Sequence, residues 1–258
     1  MYNKAKNLLL ENPESFYWLG YLASDGSFKL DNAKKVSRIS FRVNDKESVY
    51  KFKAFLNINN KITKVKNTYK LNVMDRATCQ TLIDKYNVSN QKTYNPMIVR
   101  KLSVDNFISY LVGFIDGDGS IKLQTNRRTP KISIKCHSSW LYELLYWHSQ
   151  LEKITKETIA PPKINNQGYC SWNIANLAVI KCLKLKTRKL RLPCLNRKWG
   201  LINLKIVNTA NLRRLKRQHL KIRISEMLNI KMKTGEIAKK LKISPSTVSA
   251  HKKLRRTS

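Results

Sequence analysis

Two stretches of this chain repeat one unusual pattern, an apolar run that ends in acid and glycine. They are "WLGYLASDGS", Trp18 to Ser27, and "LVGFIDGDGS", Leu111 to Ser120. Aligned on Gly26 and Gly119, they are offset by 119 − 26 = 93 residues. The same offset lays "RISFRVNDK" (Arg38 to Lys46) on "KISIKCHSS" (Lys131 to Ser139). Ile39, Phe41 and Val43 alternate in one, Ile132, Ile134 and Cys136 in the other, which predicts half-buried strands. Helical segments "KESVYKFKAFL" and "SSWLYELLYWHSQL" follow, then the second hairpins "ITKVKNTYKLNVM" and "PPKINNQGYCSWNI". After a few inserted residues Tyr69 falls on Tyr169 and Asn72 on Asn173. Each copy closes with a helix, then a Lys and a Pro: Lys92 and Pro96, Lys189 and Pro193. A repeat of this kind restricts the fold to two copies of one α/β unit, each running helix, hairpin, helix, hairpin, helix.

Both copies open with helix-start chemistry. Asn12 can cap a helix with Pro13 first and Glu14 in its first turn; Ser103 can cap the second, with Asp105 in its first turn. The expected organisation is a first repeat over 1–96, a linker over 97–102, a second repeat over 103–204 and a separate tail over 205–258.

Gly113 and Gly117 lie four apart on one helix face, and Gly20 and Ser24 hold the same places in the first copy. Small residues at that spacing let two helix backbones approach closely. If the two helices pack together, their C-terminal ends meet, bringing Asp25 and Asp118 with them. Gly26 and Gly119 would then take the left-handed turn that ends each helix. Two carboxylates would sit where two helix dipoles point their negative ends, which is costly without a cation. Oxygen ligands beside phosphate suit Mg²⁺.

Charge supplies the phosphate. Fifty-one Lys and Arg against sixteen Asp and Glu give a formal net charge of +35, and nucleic acid is the usual partner of such a chain. No apolar run approaches the roughly 20 residues of a membrane span, and the N-terminus does not read as a signal peptide. The five cysteines include no C-x-x-C pair and read as reduced, mostly buried thiols. Paired acids with divalent metal in a basic protein fit phosphodiester hydrolysis by metal-activated water.

The two motifs resemble those of the LAGLIDADG homing endonucleases in the single-chain, two-repeat form, over about residues 12–200. The resemblance implies an α+β fold of two pseudo-symmetric αββαββα repeats, a saddle whose antiparallel sheets straddle the DNA major groove. It implies that Asp25 and Asp118, the eighth motif residues, bind the catalytic metals. The sixth position, usually Asp, is Ala23 in the first copy. The resemblance further implies that Asp45 and Ser138 help order the attacking water, and that Lys92 and Lys189 are the basic residues near the centre. It implies a monomer acting on a long asymmetric double-stranded target.

On the strand faces opposite the apolar residues lie Arg38, Ser40 and Arg42, and in the second copy Lys131, Ser133 and Lys135. Such side chains contact phosphates and base edges. "QTNRRTPK" (Gln124 to Lys131), with Arg127 and Arg128, reads as an exposed tip. From Lys205 onward sixteen Lys or Arg face only Glu226 and Glu236. There, "TGEIAKKLKISPSTVSAHKKLRR" resembles a helix-turn-helix, with Ile237, Ala238, Leu241 and Val248 inward. Ser246, Thr247, Ser249, Ala250 and Lys253 would face DNA, and Lys242 stands where a Gly commonly makes the turn. The expected function is a Mg²⁺-dependent site-specific DNA endonuclease, free-standing and intron-encoded, in the cytoplasm of a phage or bacterial host, with an organellar origin left open. The alternatives are a non-catalytic DNA-binding regulator of the same fold and a maturase that binds intron RNA.

Overall fold

The computed structural model describes residues 4–31, 36–124 and 129–254. Arg127 and Arg128 lie outside the described residues. The chain divides into two compact units, Met1–Val207 and Asn208–Ser258.

The first unit contains both repeats. The first runs α1 (Pro13–Asp25), β1 (Gly26–Asp31), β2 (Val36–Val43), α2 (Lys46–Leu56), β3 (Ile62–Val65), β4 (Thr68–Met74) and α3 (Arg76–Tyr86). The second runs α4 (Val104–Gly117), β5 (Gly119–Leu123), β6 (Pro130–His137), α5 (Leu141–Thr155), β7 (Lys163–Ile164), β8 (Tyr169–Ile174) and α6 (Leu177–Lys189). A short α7 (Asn196–Trp199) follows. The expected αββαββα order is present twice. Each repeat builds an antiparallel four-stranded sheet, in the orders β1-β2-β4-β3 and β5-β6-β8-β7.

Local chemistry sets these elements. The Asn12 side chain accepts from the Ser15 amide at 2.9 Å and the Ser103 hydroxyl from the Asn106 amide at 3.2 Å, so both motif helices carry the caps read from sequence. Strand alternation sorts the faces. Phe28, Ile39 and Val73 lie side by side toward the core, as do Ile121, Ile132 and Ile174. The opposite face carries the rows Ser27–Ser40–Asn72 and Ser120–Ser133–Asn173. The equivalence of Asn72 and Asn173 therefore holds. That of Tyr69 and Tyr169 slips by one: Val43 pairs with Tyr69, and its repeat counterpart Cys136 pairs with Cys170.

The two repeats are joined by backbone packing between α1 and α4. A Cβ on Gly20 would stand 2.0 Å from the Tyr110 carbonyl oxygen, and one on Gly113 would stand 1.9 Å from that of Tyr17. Since 113 − 20 and 110 − 17 are both 93, each helix makes the same contact to the other, as at a two-fold interface. Gly117 continues the seam: its Cβ would meet Ser24 Oγ at 1.8 Å.

One expectation needs correction. Gly26 does not adopt a left-handed turn; its φ is −73° and ψ 165°, and among the described glycines only Gly168 has positive φ. Gly26 and Gly119 are required for space instead. A Cβ would lie 2.6 Å from the Leu22 carbonyl oxygen and 2.7 Å from Ile115 Cα respectively. Residues 97–102, the expected linker between the repeats, are packed against them. Met97 and Val99 are buried, the Ile98 amide donates to the Tyr86 carbonyl at 2.9 Å, and Arg100 makes a two-pronged ion pair with Glu143.

The second unit holds most of α8 (Leu204–Asn229), with α9 (Thr234–Leu241) and α10 (Pro245–Leu254). Ile224, Ile237, Ala238 and Val248 form its core. Lys242 ends α9 in the left-handed region, at φ 53°, and the Ser244 hydroxyl accepts from the Thr247 amide at 3.3 Å to start α10. Cys79 and Cys170 are buried; Cys136, Cys182 and Cys194 are half-buried, and all five are free thiols. Among the described residues no helix is long and apolar enough to cross a membrane.

Candidate active site

The helix seam delivers Asp25 and Asp118 to one place. Asp25 is the last residue of α1, and Asp118 caps the end of α4. Asp25 is half-buried there and Asp118 reaches solvent. The Asp25 carboxyl carbon lies 3.4 Å from the Cβ position of Gly117, next in the chain to Asp118. Burial, and then the charge of Asp118, push the Asp25 carboxyl up to about 6. Partial desolvation raises the Asp118 carboxyl as well, against the pull of Lys92 and Lys198.

Each helix end also holds a lysine. The Lys92 ammonium donates to the carbonyls of Leu22 (3.3 Å), Ala23 (3.2 Å) and Ser24. The Lys198 ammonium donates to those of Ile115 (2.8 Å), Asp116 (2.6 Å), Gly117 (3.1 Å) and Gly119 (2.6 Å). Residues 22, 23 and 24 plus 93 are residues 115, 116 and 117, so the two lysines occupy the same place in the two copies. Positive charge at a helix C-terminus is favourable. Burial pulls Lys92 down to about 8 and lowers Lys198 too, while the nearby carboxylates oppose the shift.

The counterpart of Lys92 is thus Lys198 rather than Lys189. Lys189 is exposed at the end of α6. In the sequence Lys189 stands four residues before Pro193, as Lys92 stands four before Pro96. The chain of the second copy runs on through Pro193 before it returns to the centre. That return is α7, which supplies Arg197 as well. Arg197 pairs with Asp45 at 3.6 Å and bears on Asp25. Asp45 has a second task, capping α2 by accepting from the Ser48 amide at 3.1 Å. Ser138 begins a short 3-10 turn, where its amide donates to the Gly168 carbonyl at 3.1 Å. Its neighbours steady the Lys92 segment: the Ser139 hydroxyl donates to the Thr93 carbonyl (3.0 Å) and the Trp140 indole to that of Lys92 (3.2 Å).

Among the described residues no three His, Cys, Asp or Glu gather into a metal cluster. The donors at the centre are two carboxylates, hard oxygen ligands that suit Mg²⁺ or Ca²⁺ with water and phosphate completing the shell. Two neighbouring carboxylates whose charged forms are each disfavoured by burial are a fit for such a cation.

On the sheets, Arg42 and Lys135 are exposed, Arg38, Lys131 and Ser133 half-buried, and Ser40 buried. The Ser40 hydroxyl donates to the Asn72 side-chain oxygen at 2.6 Å, a pair that recurs as Ser133 and Asn173 at 2.7 Å. The Arg42 guanidinium donates to Thr68 Oγ1 at 2.8 Å. In the second unit Ser246, Thr247, Ser249 and Ala250 are exposed on α10. Lys253 belongs to the same helix, and its side chain lies outside the described residues.

No protein-family model and no curated protein matches the chain. Solved structures do. I-SmaMI bound to uncleaved DNA target in the presence of calcium ions superposes with a TM-score of 0.52 at 15% identity, covering 80% of this chain and 92% of that one. The LAGLIDADG homing endonuclease I-GzeII, in complex with its DNA target, gives 0.51 at 11% identity, covering 86% and 92%. The I-SmaMI LAGLIDADG homing endonuclease bound to cleaved DNA gives 0.50 at 15% identity, covering 80% and 91%. The chain therefore has the fold of these two-repeat proteins.

Proposed function

We propose that the chain is a site-specific endonuclease that hydrolyses both strands of a DNA duplex, with divalent metal, Mg²⁺ in the cell, held by Asp25 and Asp118. The observation that carries this reading is the pair of carboxylates at the abutting ends of α1 and α4, each beside an ammonium, in a chain of net charge +35. The solved structures of the same fold that hold DNA support it.

Bound metal would supply an activated water and neutralise charge on the phosphate. The chain's own groups do the rest. Asp25 and Asp118 would hold such cations, at the place where the helix seam brings the two carboxylates together. Lys92 and Lys198 present ammonium groups to the negative charge that develops during phosphoryl transfer. Asp45 and Ser138, which follow β2 and β6, would help to order water. Arg42, Lys135 and their neighbours provide phosphate and base contacts along the sheets. The second unit adds a further DNA contact through α10, in the manner of a helix-turn-helix.

The test is cleavage of a randomised duplex library, with Mg²⁺ and after chelation. Binding is expected to survive EDTA, because lysine and arginine supply the affinity, while cleavage stops. Ca²⁺ should support binding better than cutting, since its looser shell positions water poorly. Undiminished cleavage after rigorous chelation would overturn the assignment.

A further inference from the structure

The sixth motif position is Asp116 in one copy and Ala23 in the other, and Asp116 does not face the metal centre. It is buried, 1% exposed. Its Oδ2 accepts from the Tyr17 hydroxyl at 2.9 Å and the Leu195 amide at 3.0 Å, and its Oδ1 from the Trp199 indole at 2.8 Å. Two of those donors flank Lys198. The Tyr17 hydroxyl also reaches the Pro193 carbonyl at 3.2 Å. Residues 195–199 are therefore fastened to α4 on both sides of the lysine whose ammonium meets the α4 carbonyls, and Pro193 to α1. The first copy has no such carboxylate. Its lysine segment is steadied instead by the Ser139 hydroxyl and the Trp140 indole, from the other repeat.

The geometry points to Asp116 as a positioning residue for one half of the centre: it clasps the Leu195 and Trp199 ends of a short segment and so seats Lys198 on the carbonyls at the end of α4, near the carboxylate pair. This rests on the endonuclease reading. Its consequence is strand-specific. Lys92 and Lys198 serve opposite halves, so loosening the clasp slows the nick that depends on Lys198 and spares the one that depends on Lys92.

The experiment uses the full chain and a duplex recovered from the library, with each strand labelled. Lys198→Ala first identifies the strand it serves. Asp116→Asn, which replaces an acceptor oxygen with a donor, should slow that same strand by about tenfold to 100-fold, the cost of misplacing a reacting group by about an ångström. Combined with Lys198→Ala it should add little, because both changes remove one contribution. Amide hydrogen exchange on the free protein should speed up over 194–200, while α1 and α4 stay protected. Trp199→Phe removes one donor only and should give a milder slowing of the same strand; it serves in place of Asp116→Asn if that variant fails to fold. Equal slowing of both strands, or effects that add to those of Lys198→Ala, would overturn the proposal while leaving the nuclease intact. A parent protein that binds duplex and never nicks it with any divalent metal would overturn the nuclease reading itself, and this proposal with it.

Discussion

Gly113 lies so close to Tyr17 that a Cβ added to it would stand 1.9 Å from the Tyr17 carbonyl oxygen. That oxygen belongs to the helix backbone and cannot swing away as a side chain would. The contact is what holds the two carboxylates together, because the same seam ends at Asp25 and Asp118.

Gly113→Ala must therefore push the helices apart. It should destabilise the first unit by about 1–3 kcal/mol, the usual cost of overpacking, and Gly113→Leu by more. Gly20→Ala should cost a similar amount, and the double variant less than the sum, since one separation relieves both clashes. Denaturant unfolding of the three variants measures this. Full additivity would mean the two contacts yield independently.

Asp118→Asn leaves the seam intact and removes a charge. Cutting should fall to background while gel-shift affinity holds or tightens, as repulsion from phosphate is relieved. Wild-type cutting of both strands by this variant would show that Asp118 holds no metal and would favour the regulator reading.

Asp25 gives a pH signature in metal-free buffer. The fold raises its carboxyl from 3.8 to about 6, so between those values the native state binds more protons than the unfolded chain. Stability from this group accordingly falls as pH rises through that window and is level above it. Asp25→Asn lacks the penalty. Its gain in melting temperature over the parent should be small at pH 4, grow to pH 6 and then stay constant. A gain independent of pH would refute the raised value.

Much of this was legible in the chain because it depends on local or periodic signals. The caps at Asn12 and Ser103, the alternation of Ile39 and Phe41, and the small residues of the seam each act over a few residues. Lys198 was not legible for the opposite reason. Its place is defined by which carbonyls its ammonium reaches, and it lies 198 − 92 = 106 residues beyond its counterpart, against a repeat of 93. Trp199 and Asp116 are the signal for it, a donor and an acceptor with no counterpart at the equivalent places of the first copy. Close packing, not a left-handed turn, requires the glycines after the acids.

Both aspartates and both lysines of the centre belong to the first unit. Val207 is buried in the core of the first unit, so ending the chain after residue 207 rather than 204 keeps that core closed. The shortened protein should keep both aspartates and both lysines, bind more weakly, and protect a shorter footprint. The slope of log affinity against log salt should become shallower by about 0.9 for every phosphate that the second unit no longer neutralises. Equal footprints would show that α10 reads no DNA.

The two ammonium groups at the helix ends have one more consequence. They already offset much of the negative charge of Asp25 and Asp118, so the free protein offers an incoming divalent cation a nearly neutral berth. The phosphates of a bound duplex restore the deficit. Metal and DNA should then be thermodynamically linked, each raising the affinity of the other by the same factor. Calorimetric titration with Ca²⁺ should show weak uptake by the protein alone and tight uptake by its DNA complex, and Lys198→Ala should narrow that gap by strengthening the former. The lysines would thereby keep the centre from arming itself before a target is in place.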